Sequence, residues 1–130
     1  MVGMRFNSLW KIHKWWPALN AMPKMLIELA QDPELGLLGT RFSRHRRTIT
    51  VIQYWESFEK LMEFSRSAEQ QHRTYWKWFN SSVGSNGDVG IWHELYRISP
   101  GSYEARYVNM PVFGLGEAVG HTPGRSADPA

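Results

Sequence analysis

Two segments constrain this 130-residue chain more than any other feature. Residues 48–55 (TITVIQYW) and 89–98 (VGIWHELYRI) are dense in β-branched and aromatic side chains, the composition of strands. In each, both alternating faces carry bulky apolar or aromatic groups. A strand with one wet face alternates apolar with polar instead. These two strands therefore need cover on both sides. Helices can supply one cover, and the sheet of a second subunit is the economical source of the other. A homodimer is expected.

The rest of the chain supplies the helices. Ile12, Trp15, Trp16, Leu19, Met22, Leu26 and Leu29 recur at three- and four-residue spacing, an amphipathic helix period. Pro17 and Pro23 interrupt it. A short strand over residues 1–6 precedes it. A second strand over 35–42 follows, in which Gly36 and Gly39 point to a bulge or a close backbone approach. Residues 43–47 read as a basic turn. After strand 48–55, Ser57 caps a helix whose inner face is Phe58, Leu61, Met62 and Ser65. A separate helix over 68–83 carries His72, Tyr75, Trp76, Phe79 and Val83 on one face. Ser85-Asn86-Gly87-Asp88 is a turn, and Ser99-Pro100-Gly101-Ser102 closes the strand 89–98. Residues 103–110 read as a further strand or extended arm.

The order is β-α-β-β-α-β with the second helical layer in two pieces. That is the split βαβ pattern, an α+β ferredoxin-like sandwich. One domain over residues 1–118 and a disordered tail over 119–130 are expected.

Composition narrows the chemistry. Seven Trp, five Tyr and six Phe are many for one small core, and they point to an interface, a ligand cavity or both. The chain has no Cys, which removes disulfides, thiolate metal sites and a Cys nucleophile. The net charge of +3 is mild. Its cluster at Arg41, Arg44, Arg46 and Arg47 reads as a solvated loop, so no nucleic-acid partner is expected. No apolar run reaches the ~18 residues of a membrane span. No signal peptide is evident, so a cytoplasmic location is expected. Gly84, Gly87 and Gly90 do not form a dinucleotide fingerprint. The five His give no close metal-ligand spacing, and no nucleophile elbow is present.

Several segments also carry a family likeness. Tyr54-Trp55-Glu56-Ser57-Phe58-Glu59-Lys60-Leu61, followed by His72, Trp76, Phe79 and Asn80, resembles the strand-helix-helix core of the antibiotic-biosynthesis-monooxygenase superfamily. GMRFN from Gly3, WKIHKW from Trp10, GDVGIWHELY from Gly87 and GSYEARYVNMPVFGLG from Gly101 resemble one branch of it. That branch is long labelled a domain of unknown function, and is described as monooxygenase-like after a fungal enzyme of the fumagillin pathway. The likeness covers about residues 3 to 118. It implies a dimeric α/β barrel with a cavity between sheet and helices in each subunit, and oxygenation of a hydrophobic metabolite. Relatives of the branch carry extra residues before the first strand. The superfamily also holds haem enzymes.

His72 leads the candidate site. An imidazole among Tyr75, Trp76 and Phe79 can act as a general base near neutral pH. A cofactor-free oxygenase needs such a base to form a substrate carbanion that reduces dioxygen, and no cofactor is expected on this reading. In haem-binding relatives the matching helix supplies an axial His, so the resemblance gives His72 a second role, as a ligand to haem. The competing reading is a helix-edge His bonded to backbone or water. His93 shares a strand face with Val89, Ile91 and Leu95, where an imidazole needs a partner. It is a second catalytic candidate, or else a satisfied core His. Asn7 and Asn109 could donate to an oxyanion or peroxide, or cap strand ends. Trp15, Tyr75, Trp76 and Phe79 could line a pocket for a hydrophobic small-molecule substrate, or fill core and interface. A non-catalytic dimeric module that shields an apolar ligand is the remaining reading.

Overall fold

The computed structural model describes residues 1–13, 16, 19–20, 27, 29–71, 77 and 87–120. Four strands form one sheet: β1 (Val2–Phe6), β2 (Leu37–His45), β3 (Thr48–Trp55) and β4 (Val89–His93). Their order across the sheet is β2-β3-β1-β4, and every neighbouring pair is antiparallel. β1 and β2 therefore run the same way with β3 between them. This is the split βαβ topology, and the fold is the expected α+β ferredoxin-like one. Helix α1 (Phe58–Gln71) follows β3, and a one-turn helix α2 (Leu115–Ala118) lies near the C-terminus. Described positions 12–13, 16, 19–20, 27 and 29–31 are helical, and Pro33–Leu35 is a 3-10 turn.

The strand register sorts side chains onto two faces. Val2, Met4 and Phe6 share one face with Ile49, Val51, Trp55, Val89, Ile91 and His93. This is the core side. Met4, Phe6 and Val89 are buried together, with Leu19 and Ile49 packed on them. Leu29 and Val51, each 1% exposed, form a second cluster with Val2, Leu35, Leu37, Trp55 and Phe64. The Trp55 and Phe64 rings lie 5.6 Å apart. Ile12 and Trp16 share the apolar period of Leu19 and Leu29 yet are more than half exposed. β1 offers about 17 Å of floor, and Leu19 and Leu29 already cover it.

The second face is less apolar than the alternation suggested. It carries Gly3, Arg5, Thr48, Thr50, Ile52, Tyr54, Gly90 and Trp92. The Trp92 indole lies against Gly3, where any side chain would overlap it. Part of this face is covered by the chain itself, because α2 packs against β2 there.

Several boundaries differ from expectation, each for a local reason. β2 runs through His45 because Ser43, Arg44 and His45 pair with Thr50, Ile49 and Thr48. Only Arg46 and Arg47 remain for the turn, and Arg46 adopts the positive φ of 52° that such a tight hairpin demands. The register shift between Leu37 and Gly39 is the irregularity the glycines pointed to. Ser57 Oγ accepts from the Lys60 amide at 3.1 Å, the expected cap. α1 then continues unbroken to Gln71, so the expected break before residue 68 is absent. Phe64, not among the expected inner-face residues, is the one that packs on the core.

β4 stops at His93, five residues short of its expected end. Its pairing with β1 reaches from Phe6 opposite Val89 to Val2 opposite His93. The Glu94 amide still donates to the Met1 carbonyl at 2.9 Å, and beyond that no described strand is there to pair with. Residues 103–110 likewise form no strand. The turn at residues 99–102 is present, closed by Ser102 N–H to the Ser99 carbonyl at 3.0 Å.

Candidate functional site

The expected site residues divide into two groups. His72, Trp15, Tyr75, Trp76 and Phe79 lie outside the described residues, as does the tail 121–130. His93, Asn7 and Asn109 are described, and the strand register holds His93 and Asn7 apart.

His93 is the last residue of β4, opposite Val2 on the core face of the sheet. Val89 at the start of this strand is 3% exposed and Ile91 43% exposed, and His93 is exposed in turn. Exposure on this face thus rises along β4 towards His93, whose imidazole is exposed and not a buried core group.

Asn7 stands at the opposite end, five residues of β1 away, or about 17 Å. Its Nδ2 donates to the Gly87 carbonyl at 2.9 Å. This is the strand-end capping role, and it ties the amide to the loop before β4. Next to it, Asp88 is the buried polar residue of the described chain, at 5% exposure. Its carboxylate accepts from Ser8 Oγ at 2.9 Å and from Lys11 Nζ at 3.0 and 3.1 Å. Its carbonyl accepts from the Asn7 and Ser8 amides. These bonds fasten the residues after β1 to the start of β4. The sequence marked Asp88 only as a turn residue, and nothing in the local pattern announces its burial.

Asn109 is exposed and takes a φ of 57°. Asn tolerates this left-handed conformation better than most residues. It belongs to the irregular stretch after β4.

One feature of the described surface went unread in the sequence. An open groove of about 640 Å³ is lined by Phe58, Glu59, Met62, Glu63, Arg66, Ser67 and Arg97. Phe58 and Met62 are one helical turn apart, and the Arg97 guanidinium lies 4.0 Å from the Phe58 ring centre. Phe58 and Met62, expected on the inner face of α1, line this groove instead. The spacing was visible; Arg97, brought from beyond β4, was not. Among the described residues, no group of three or more His, Asp and Glu is placed to hold a metal ion. No helix among them is long and apolar enough to cross a membrane.

The sheet, the groove and the arm beyond β4 all fall within one family match. The profile of the family described as monooxygenase af470-like covers residues 1–115. The chain belongs to this family. Monooxygenase af470 of Aspergillus fumigatus is 32% identical over 125 residues, covering 88% of this chain and 43% of that protein. The chain therefore spans less than half the length of its curated relative. No solved structure matches. The match agrees with the branch that the segments at Gly3, Trp10, Gly87 and Gly101 resemble. It takes in His72, His93, Asn7 and Asn109 alike, without singling out any of them.

Proposed function

We propose that this chain is a small homodimeric monooxygenase that oxygenates a hydrophobic metabolite of the secondary-metabolite type. The observation that carries the reading is the match of residues 1–115 to a monooxygenase family on a ferredoxin-like sheet. The sheet presents a core face that opens at His93, and a second face with half-buried Ile52, Tyr54 and Trp92. The open end admits a ligand between sheet and helices. The second face suits a twin subunit.

In this reading His72 is the general base and His93 assists. Removing a proton from an activated C–H gives a carbanion that can pass electrons to dioxygen. For a methylene converted to a carbonyl, the substrate supplies all four electrons. One oxygen atom stays on carbon and the other leaves as water, so no external reductant is needed. Trp15, Tyr75, Trp76 and Phe79 would hold an apolar skeleton, as aromatic-lined pockets do.

The test is turnover under ¹⁸O₂ with a panel of hydrophobic substrates bearing an acidic C–H. One labelled oxygen per product is expected, with loss of turnover in His72→Ala and retained far-UV circular dichroism. Ligand binding without oxygen uptake would overturn the reading in favour of a binding module. A Soret band that disappears in His72→Ala would overturn it in favour of a haem protein.

A further inference from the structure

The end of the described chain fits the sheet closely, while the stretch that carries it does not. Glu117 pairs with Arg41 of β2, and the Arg41 guanidinium lies 4.6 Å from the Phe113 ring centre. The Tyr107 hydroxyl donates to the Phe113 carbonyl at 2.6 Å and lies against Gly116, where a side chain would overlap it. A Cβ at Gly39 would sit 3.4 Å from that of Ala118, in ordinary contact. Residues 107–119 thus form a hook seated on the second face, beside β2 and Tyr54.

Residues 94–106 lead to this hook without helix or strand. Leu95, Tyr96 and Ile98 on this arm are at least half exposed, as are Val108 and Met110 where the hook begins. Apolar groups left in water are a standing cost, removed when another surface covers them. The arm is also longer than its task requires. It can reach about 43 Å when extended, whereas β4 and β2 are three strand spacings apart, about 14 Å.

We propose that in the homodimer the hooks are exchanged, each seating on the partner copy's second face while the arms cross between the two sheets. This rests on the homodimer reading above. A second copy offers each hook an identical seat, so the contacts on Arg41, Gly39 and Tyr54 are kept. The crossing also covers the exposed arm. The geometry favours it: the arm leaves β4 at the end where His93 faces Val2, and the seat at Gly39 and Arg41 lies towards that same end of β2. A two-fold axis parallel to the strands sets β4 of each sheet opposite β2 of the other.

The chain has no Cys, which makes the test clean. Cys residues placed by Gly39→Cys and Ala118→Cys stand at disulfide distance when the hook is seated. Oxidation of the double variant is expected to give a covalent dimer on non-reducing denaturing gels. An intrachain bond in a protein that light scattering shows to be dimeric overturns the exchange and leaves the dimer standing. A monomeric parent protein overturns both. Absence of any disulfide shows an unseated hook and overturns the exchange too. Charge reversal supplies a second readout. Arg41→Glu and Glu117→Arg chains, refolded together, are expected to associate about tenfold more tightly than either alone. Equal association of the mixture and the separate chains contradicts exchange.

Discussion

The two ends of β4 are built differently. At its start, Val89 is 3% exposed and Asp88 5% exposed. Ser8, Lys11 and the Asn7 and Ser8 amides all converge on Asp88. At its finish, His93 is exposed, the pairing with β1 ends at Met1 and Glu94, and an apolar arm continues without a strand partner. The same five-residue strand is thus locked at one end and open at the other. A locked end holds the sheet edge in register. In the proposed function, the open end is where a ligand enters.

This contrast can be broken by substitution. The largest effect is expected from Asp88→Ala, which removes two charge-assisted side-chain partners from a buried site. A loss of about 3 kcal/mol in urea unfolding is expected, at the upper end because the site is buried. Lys11 is half exposed and can rehydrate, which keeps the loss from being larger. Next comes the core face of the strand. Val89→Ala is expected to cost about 2 kcal/mol and Ile91→Ala about half of that, since only Val89 is fully buried. Equal losses would remove the exposure gradient along β4.

The smallest effect belongs to the arm. The Tyr96 hydroxyl donates to Glu94 at 2.5 Å, and this hydrogen bond, reinforced by the carboxylate charge, raises the Tyr96 pKa above its usual 10.0. An acid with a raised folded pKa stabilises the fold below its unfolded pKa, and loses that contribution as pH rises through the folded value. Ultraviolet titration is expected to show one late-ionising tyrosine that returns to the ordinary range in Glu94→Gln. No change in the titration would mean that the arm does not hold this pair in solution.

Much of the fold could be read from local pattern. The composition of TITVIQYW marked β3, Ser57 marked the start of α1, and Gly36 and Gly39 marked the irregular entry to β2. The order of these elements was enough for the split βαβ topology. What escaped the sequence depended on partners distant in the chain. The length of β4 follows the extent of its pairing with β1, not the alternation in residues 89–98. The turn at Arg46 is imposed by pairing that extends to His45, although Arg carries no turn signal. Asp88 is buried because Ser8 and Lys11, about eighty residues earlier, come to meet it. The hook at Phe113 and Glu117 needs Arg41, which looked like one member of a solvated basic loop. Of the candidate site, His93 was placed on the right face of its strand, but its exposure follows from where the strand ends.

With the locked end of β4 structural and the open end serving the proposed chemistry, kcat/KM and unfolding free energy measured side by side in Asn7→Ala and His93→Ala separate the two roles. Asn7→Ala is expected to lower stability by about 1 kcal/mol and leave kcat/KM unchanged. His93→Ala is expected to lower kcat/KM about 10²-fold and leave stability within about 0.5 kcal/mol. The opposite assignment, with His93→Ala fully active and Asn7→Ala folded but inactive, would contradict these roles.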